Sequence, residues 1–383
     1  MVVTATLLAW AASYAFAAGL LALRRAPTHG GDTTRVRRVL LVRPFTGDDQ
    51  AAAMAMATQP ICPAGISLRW RGCAADVSDP AWPVLGRCVE TLRRAGVDAE
   101  ATITGARGPN YKADQLGIAT HDHDADAIVV VDADVDLASV DLDALLRPLM
   151  GCTPDGRRVG VVWSPPIEPW ARSPADRVSR AILGGSWHAF GLLARLDPHL
   201  IVGKTFAIHR DALAAIGGFG PLREHLGEDF ELGRRCEAAG FAIACTPRPV
   251  HSRAKDRRFT TVFQRYVRWL WVVRAQRPGR LLAYPLLLAA APLLLLAGLA
   301  TWASSPWAAG IIVATTIASR AGVTVMAARQ ARLRIGPRLL LDAWLADLVL
   351  LAVFARVGFG RRVRWANRTL RIGADGRLQT AAE

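Results

Sequence analysis

Short C-x-x-C spacings are missing from this chain. Its six cysteines, Cys62, Cys73, Cys88, Cys152, Cys236 and Cys245, are scattered, which excludes a zinc ribbon or a dithiol redox pair and reads as reduced cytosolic thiols. Acid is in short supply: 32 Asp and Glu stand against 47 Lys and Arg in 383 residues, a net charge of +15. No nucleic-acid fold signature accompanies that excess, and the positive residues cluster beside apolar runs. A membrane surface and an anionic substrate are therefore the expected partners, and nucleic acid is not. Internal repeats and low-complexity tracts are absent as well. Charge is wholly missing from Val2–Leu23, a run long enough to cross a bilayer as a helix. The leading positive charge of a cleaved signal peptide is also missing; Arg24 and Arg25 follow the run instead. That order predicts an uncleaved anchor over residues 1–24 with its C-terminal side in the cytosol.

What is present begins with a positive mean hydropathy, +0.22, the mark of a soluble domain joined to membrane helices. Over residues 35–258, short β-rich runs alternate with helical stretches: "VRRVLLVRPF", "ISLRWRGCA", "VDAEATITG", "DAIVVVDAD", "RVGVVWSPP" and "GKTFAIHR". Continuous apolar strands separated by helices predict an α/β domain built on a mainly parallel sheet covered on both faces. Ligands of such sheets bind beyond the carboxyl ends of the strands, so the residues after "IVVV" are the first place to look. Residues 259–280 read as an interfacial helix rich in Arg and Trp, and residues 281–360 as membrane segments with apolar runs at 281–302, 307–328 and 339–359. The last run carries Asp342, Asp347 and Arg356, charges that imply protein-facing, water-facing or interfacial positions. Basic clusters on both sides of it, at 329–338 and 361–371, predict a segment that lies in or re-enters the membrane from the cytosolic side. Residues 361–383 then form a basic cytosolic tail whose end, "ADGRLQTAAE", is expected to be poorly ordered.

Three stretches carry chemistry. In "AIVVVDADVDL", Asp132 and Asp134 alternate along an extended chain and share a face, a grip for a hard divalent cation. The bland alternative is a solvated acidic turn. In "HLGEDFELGRRCEAAGF", Glu228 and Asp229 open a helix, where acid complements the macrodipole. A carboxylate there, facing a cleft, also suits a general base. In "FQRYVRW", Gln264 and Arg268 fall on one helical face with Trp269 adjacent, an arrangement suited to phosphate oxygens but also to a membrane interface. Lys112 reads as an exposed surface lysine, His121 and His123 as members of a polar loop, and Gly217–Gly218 as a turn.

D-x-D after a strand, E-D before a helix and Q-x-x-R-W before membrane helices occur here in one order. With "LLVRPFTGDD", "DVSDPAW", "GPNYKADQL", "GKTFAIHRDALAAIGGF" and "VRWANRTLRI", the chain resembles the membrane glycosyltransferases of families 2 and 21, most of all the ceramide glucosyltransferase-like branch that includes bacterial hopanoid-associated enzymes. The resemblance implies a GT-A (Rossmann-like) nucleotide-sugar domain with N-terminal and C-terminal membrane helices. It implies donor contacts by Asp76, with Asp79 a rival, and by Asp132, Gln264, Arg268 and Trp269. Asp132 and Asp134 are implied to hold Mg2+ or Mn2+, and Asp229 to be the catalytic base. The expected activity is inverting transfer of a sugar from a UDP-sugar to a hydroxyl of a membrane lipid at the cytosolic face, in a bacterial inner membrane. A processive polysaccharide synthase and a catalytically silent nucleotide-sugar-binding membrane protein are the alternatives.

Overall fold

A computed structural model describes residues 1–23, 36–47, 58–197, 199–253, 256–358, 362–365, 368–373 and 377–380. Arg24, Arg25 and much of the basic tail lie outside them. The chain divides into two units: residues 26–170, 197–255 and 365–383 form one, and residues 1–25, 171–196 and 256–364 the other. Residues 171–196, inside the stretch read as a single α/β domain, thus group with the long helices.

The first unit is built on a seven-stranded sheet. Its strands are β1 (Arg38–Pro44), β2 (Ser67–Ala74), β3 (Asp98–Ile103), β4 (Ala127–Val131), β5 (Val159–Trp163), β7 (Thr205–His209) and β8 (Ala242–Cys245), in the order β3-β2-β1-β4-β7-β5-β8. All pairs are parallel except those of β7, which runs antiparallel to both β4 and β5. The six quoted runs each contain one of these strands. The seventh, β8, escaped notice, although "FAIAC" after Gly240 is as apolar as the others. Every residue of β4 is 0 % exposed. Each of its larger aliphatic side chains contributes about 1.5–3 kcal/mol by leaving water, so this strand fixes the centre of the sheet and the place of whatever follows it. Two short strands, β6 (Pro166–Ile167) and β9 (Val250–His251), pair beside the sheet. Gly217 and Gly218 take φ of +79° and +78°, the left-handed turn expected of the pair.

Of the tail, only residues 362–365, 368–373 and 377–380 are described, and the rest of the stretch expected to be poorly ordered lies outside them. Leu378–Thr380 forms a strand antiparallel to Arg368–Ile372, and the Leu378 amide donates to the Glu224 carbonyl at 2.6 Å. Burying Leu378 and pairing its backbone replaces the disorder expected of "ADGRLQTAAE" at residues 377–380.

In the other unit, the helices Val2–Leu23 and Pro306–Gln330 are long and apolar enough to cross a membrane. The run at 281–302 is broken into Pro278–Ala283, a π-helical turn at Tyr284–Leu288, and Ala290–Thr301. Residues 339–358 belong to one unbroken helix, Pro337–Gly358, with no internal turn at which the chain doubles back. Its acidic residues do face protein: Asp342 pairs with Arg177 at 3.3 Å and Arg180 at 3.5 Å, and Asp347 pairs with Arg320 at 2.6 Å.

Candidate active site

Because β1, β2 and β4 are parallel, Asp76 and Asp132 both follow the carboxyl ends of their strands. Asp76 is exposed and accepts the Ser78 amide at 2.8 Å, a bond that lowers its pKa. Its rival Asp79 is committed elsewhere, accepting Gly47 N at 2.8 Å and Ala81 N at 2.9 Å at the start of the helix Ala81–Arg94.

Asp132 and Asp134 come together for a different reason from the one expected. They lie on a turn just beyond β4, closed by Val135 N to Asp132 O at 3.1 Å, and not along an extended strand. Arg43, 0 % exposed at the end of β1, fixes that turn from below. One of its nitrogens, Nη2, donates to the carbonyls of Asp132, Ala133 and Val135 at 3.2, 2.9 and 2.7 Å. Ser252 Oγ adds a bond to Asp134 Oδ2 at 2.8 Å. Burial lowers the Arg43 pKa to about 10, even with the carboxylates of Asp132, Asp134 and Asp136 favouring its charge.

Lys112 is no surface residue. Its ammonium is 2.7 Å from Asp132 Oδ1, 3.2 Å from Glu228 Oε1 and 2.6 Å from the Gly203 carbonyl. Burial works against its charge, but the carboxylates of Asp132 and Glu228 outweigh that and raise its pKa. Asn110 places it: the buried amide caps the helix Tyr111–Ala119 and also donates to Glu228 Oε2 at 3.1 Å.

Asp229 sits in the first turn of Glu228–Ala238 and accepts Gly203 N at 2.7 Å and Phe230 N at 2.8 Å. Burial and the neighbouring Glu228 carboxylate push its pKa up to about 6, against the pull of Lys112 and those two amides. A Cβ at Gly203 would lie 3.1 Å from both Asp229 Oδ2 and Lys112 Nζ, so those side chains would have to give way by a few tenths of an ångström. Asp132, Asp134, Glu228 and Asp229 thus form one carboxylate cluster threaded by Lys112 and Lys204. Four acids against two ammoniums leave the cluster anionic when all are ionised.

Gln264, Arg268 and Trp269 belong to the helical unit, on Phe259–Gln276. Gln264 is exposed and Arg268 half-buried, four residues apart on one face. The guanidinium that lies over the Trp269 ring, 4.8 Å from its centroid, is that of Arg265. Phe190 and Tyr266 complete the aromatic group, with ring centroids 5.2 and 5.1 Å from that of Trp269. His121 and His123 lie in the loop before β4, at the strand's opposite end from Asp132. All six cysteines are free thiols.

Sequence reasoning passed over Lys204 and Arg43, both inside quoted motifs, and misread Lys112. Cross-strand register is what brings Lys204 in: Val131 pairs with Thr205, and Asp132 N donates to Lys204 O at 2.9 Å.

A mixed sheet with a D-x-D turn at the carboxyl end of its central strand and a carboxylate at a nearby helix start defines a glycosyltransferase of GT-A fold. The sequence profile of glycosyl transferase family 21 matches residues 4–378, and the chain belongs to that family. Among solved structures it is similar to the mannosyltransferase PcManGT from Pyrobaculum calidifontis in complex with GDP-Man and Mn2+. The identity is 18 % over 94 % of this chain and 97 % of that one, with a TM-score of 0.51. Glucosyl-3-phosphoglycerate synthase from Mycobacterium tuberculosis, in complex with Mg2+ and UDP, is 15 % identical over 64 % of this chain and 85 % of that one, with a TM-score of 0.37. S. aureus TarS 1–349 is 10 % identical over 87 % and 96 %, with a TM-score of 0.36. No curated protein matches the sequence.

Proposed function

We propose that the protein is an inverting glycosyltransferase that moves a sugar from a UDP-sugar to the hydroxyl of a membrane lipid, a ceramide-like, hopanoid-like or similar lipid alcohol, at the cytosolic face of a bacterial inner membrane. The observation that carries this reading is Asp229, a helix-start carboxylate with its pKa pushed up to about 6, under the electrostatic pull of a Lys112 that pairs with the D-A-D carboxylate Asp132. A base tuned close to neutral pH takes a proton from an attacking hydroxyl without being protonated itself beforehand. The two long apolar helices supply the reason for a lipid acceptor.

The residues fit a divalent cation. Asp132 and Asp134 offer carboxylate oxygens on a rigid turn, and Mg2+ is usually held by one or two carboxylates with substrate phosphates completing the shell. When bound, the metal supplies neutralisation of the charge developing on the departing diphosphate. Asp76 would contact the nucleotide, Arg268 would pair its planar guanidinium with diphosphate oxygens, and Gln264 and Trp269 would assist on the donor and acceptor side. Asp134→Ala should abolish metal-dependent turnover; because the side chain also holds Lys204 and Ser252, the thermal unfolding midpoint is measured beside the rate, and a protein that stays folded but has lost metal dependence is the expected result. Undiminished wild-type transfer after thorough chelation would remove the metal from the account.

The pH dependence follows from the direction of the Asp229 shift. Its ionised form is the active base, so kcat/KM should rise with pH through a limb near 6 and level off above it. Lys112 pulls that pKa down, so Lys112→Met should move the limb to higher pH. A pH-independent rate between pH 5 and 7 is the contrary outcome.

UDP release by the full chain, measured with a panel of UDP-sugars in the presence and absence of lipid alcohols, tests the function as a whole. Lipid-stimulated release is expected. Release coupled to a growing polymer would indicate a synthase, and binding without release a silent protein.

A further inference from the structure

Resting on the glycosyltransferase reading, we infer that Lys204 is a tethered counter-ion that holds the cation's place between Asp132 and Asp134, so that a divalent metal and the donor diphosphate enter together. The backbone makes this position obligatory. Antiparallel pairing of β7 with β4 sets residue 204 opposite residue 132, with the Asp132 amide bonded to the Lys204 carbonyl at 2.9 Å. From there the ammonium reaches 2.5 and 2.6 Å from the two oxygens of Asp134 and 3.3 Å from Asp132 Oδ2. The carboxylates that would face a metal therefore face Nζ, and they are held in that attitude by Arg43 beneath the turn and Ser252 beside it.

Two cations cannot share this space. A divalent ion at the same oxygens would lie within a few ångströms of the ammonium, a like-charge contact that is costly away from bulk water. Lys204 must move aside, and its four-carbon stem allows that. The displaced charge then needs an anion. Glu228 already pairs with Lys112, and Asp229 accepts two backbone amides. A nucleoside diphosphate arriving with the metal supplies the missing anionic oxygens and also the ligands that the protein lacks.

Coupling of this kind is reciprocal: the nucleotide raises metal affinity by the same factor by which metal raises nucleotide affinity. Mn2+ binding to the full chain in detergent micelles, followed by the electron paramagnetic resonance of free Mn2+ with and without UDP, reads it directly. The wild type should bind Mn2+ weakly alone and at least about tenfold more tightly with UDP, within the usual range of coupling. Lys204→Met should raise the affinity for Mn2+ alone by about tenfold or more and shrink the UDP-linked gain correspondingly. Lys112→Met, an equal change of charge, should raise it by less, which separates occupancy of the cation position from general electrostatics. Should Lys204→Met fail to fold, Lys204→Arg keeps a cation there and should bind Mn2+ alone no better than wild type, with the UDP-linked gain retained. Tighter binding of Mn2+ alone by Lys204→Arg would overturn the inference. So would a Lys204→Met protein that binds Mn2+ alone no better than wild type, or a wild type indifferent to UDP. UDP binding scored with Mn2+ present keeps the two claims apart: a wild type that binds UDP while Lys204→Met leaves the affinity for Mn2+ alone unchanged refutes the counter-ion and leaves the transferase reading standing. A wild type that binds neither UDP nor Mn2+ when both are supplied together removes both.

Discussion

Asp229→Asn should lower the rate of sugar transfer by at least about a hundredfold, the lower end of what a positioned general base contributes. The substitution keeps the size of the side chain and removes its ability to take a proton. Donor binding should stay close to wild type, because the role proposed for Asp229 is in the step in which the acceptor hydroxyl loses its proton and not in the nucleotide contacts. The loss should therefore appear in kcat with little change in the KM for donor. One complication is local and measurable. Asp229 accepts an amide on each oxygen, from Gly203 and Phe230, and an asparagine can accept on only one side. Leaving one buried amide unpaired costs about 1–3 kcal/mol, so the unfolding midpoint must be measured beside the rate. Transfer within about threefold of wild type, far below the range for a general base, would return Asp229 to the role of a helix-start residue.

The second large effect is on stability and lies in the helical unit. Arg320 is 1 % and Asp347 2 % exposed. Arg320 bonds Asp347 at 2.6 and 3.0 Å, the Gly185 carbonyl and Thr324 hydroxyl at 2.6 Å each, and the Ala343 carbonyl at 2.9 Å. All five N–H donors of the guanidinium thus have acceptors. Asp347→Ala leaves a buried cation without its counter-charge, and breaking such a pair typically costs about 3–5 kcal/mol. Replacing both residues, Arg320→Met with Asp347→Leu, should restore most of the loss, because a buried ion pair is often matched by apolar residues of similar volume. Thermal unfolding of the single and double variants in detergent checks both statements. An Asp347→Ala midpoint equal to wild type would show that the pair contributes nothing.

How much of this was legible in the sequence depends on the range of the interaction. The run "AIVVVDAD" announced both a buried strand and a carboxylate pair at its end, because local apolarity and position are enough for that. The antiparallel course of β7 was not legible, since "GKTFAIHR" reads as a buried strand like the parallel ones and direction is set by the route of the connection. With that direction went Lys204, which reaches Asp134 only through cross-strand register. Lys112 was misread for a related reason: its partners Asp132 and Glu228 are distant in sequence, and a single lysine in "NYK" carries no sign of them. Asp342 and Asp347 did stand out, as charges within an apolar run whose cost implied protein-facing, water-facing or interfacial positions. Which partners, Arg177, Arg180 and Arg320, only the packing of the helices could reveal.

The central claim is direct displacement at the sugar carbon by a lipid hydroxyl activated by Asp229. The anomeric configuration of the glycolipid product, read from the proton coupling at the anomeric carbon by nuclear magnetic resonance, tests it most directly. A single displacement with Asp229 as base predicts a product of configuration opposite to that of the donor UDP-sugar. A product that retains the donor's configuration would contradict the assignment, since retention requires a route other than one attack assisted by one base.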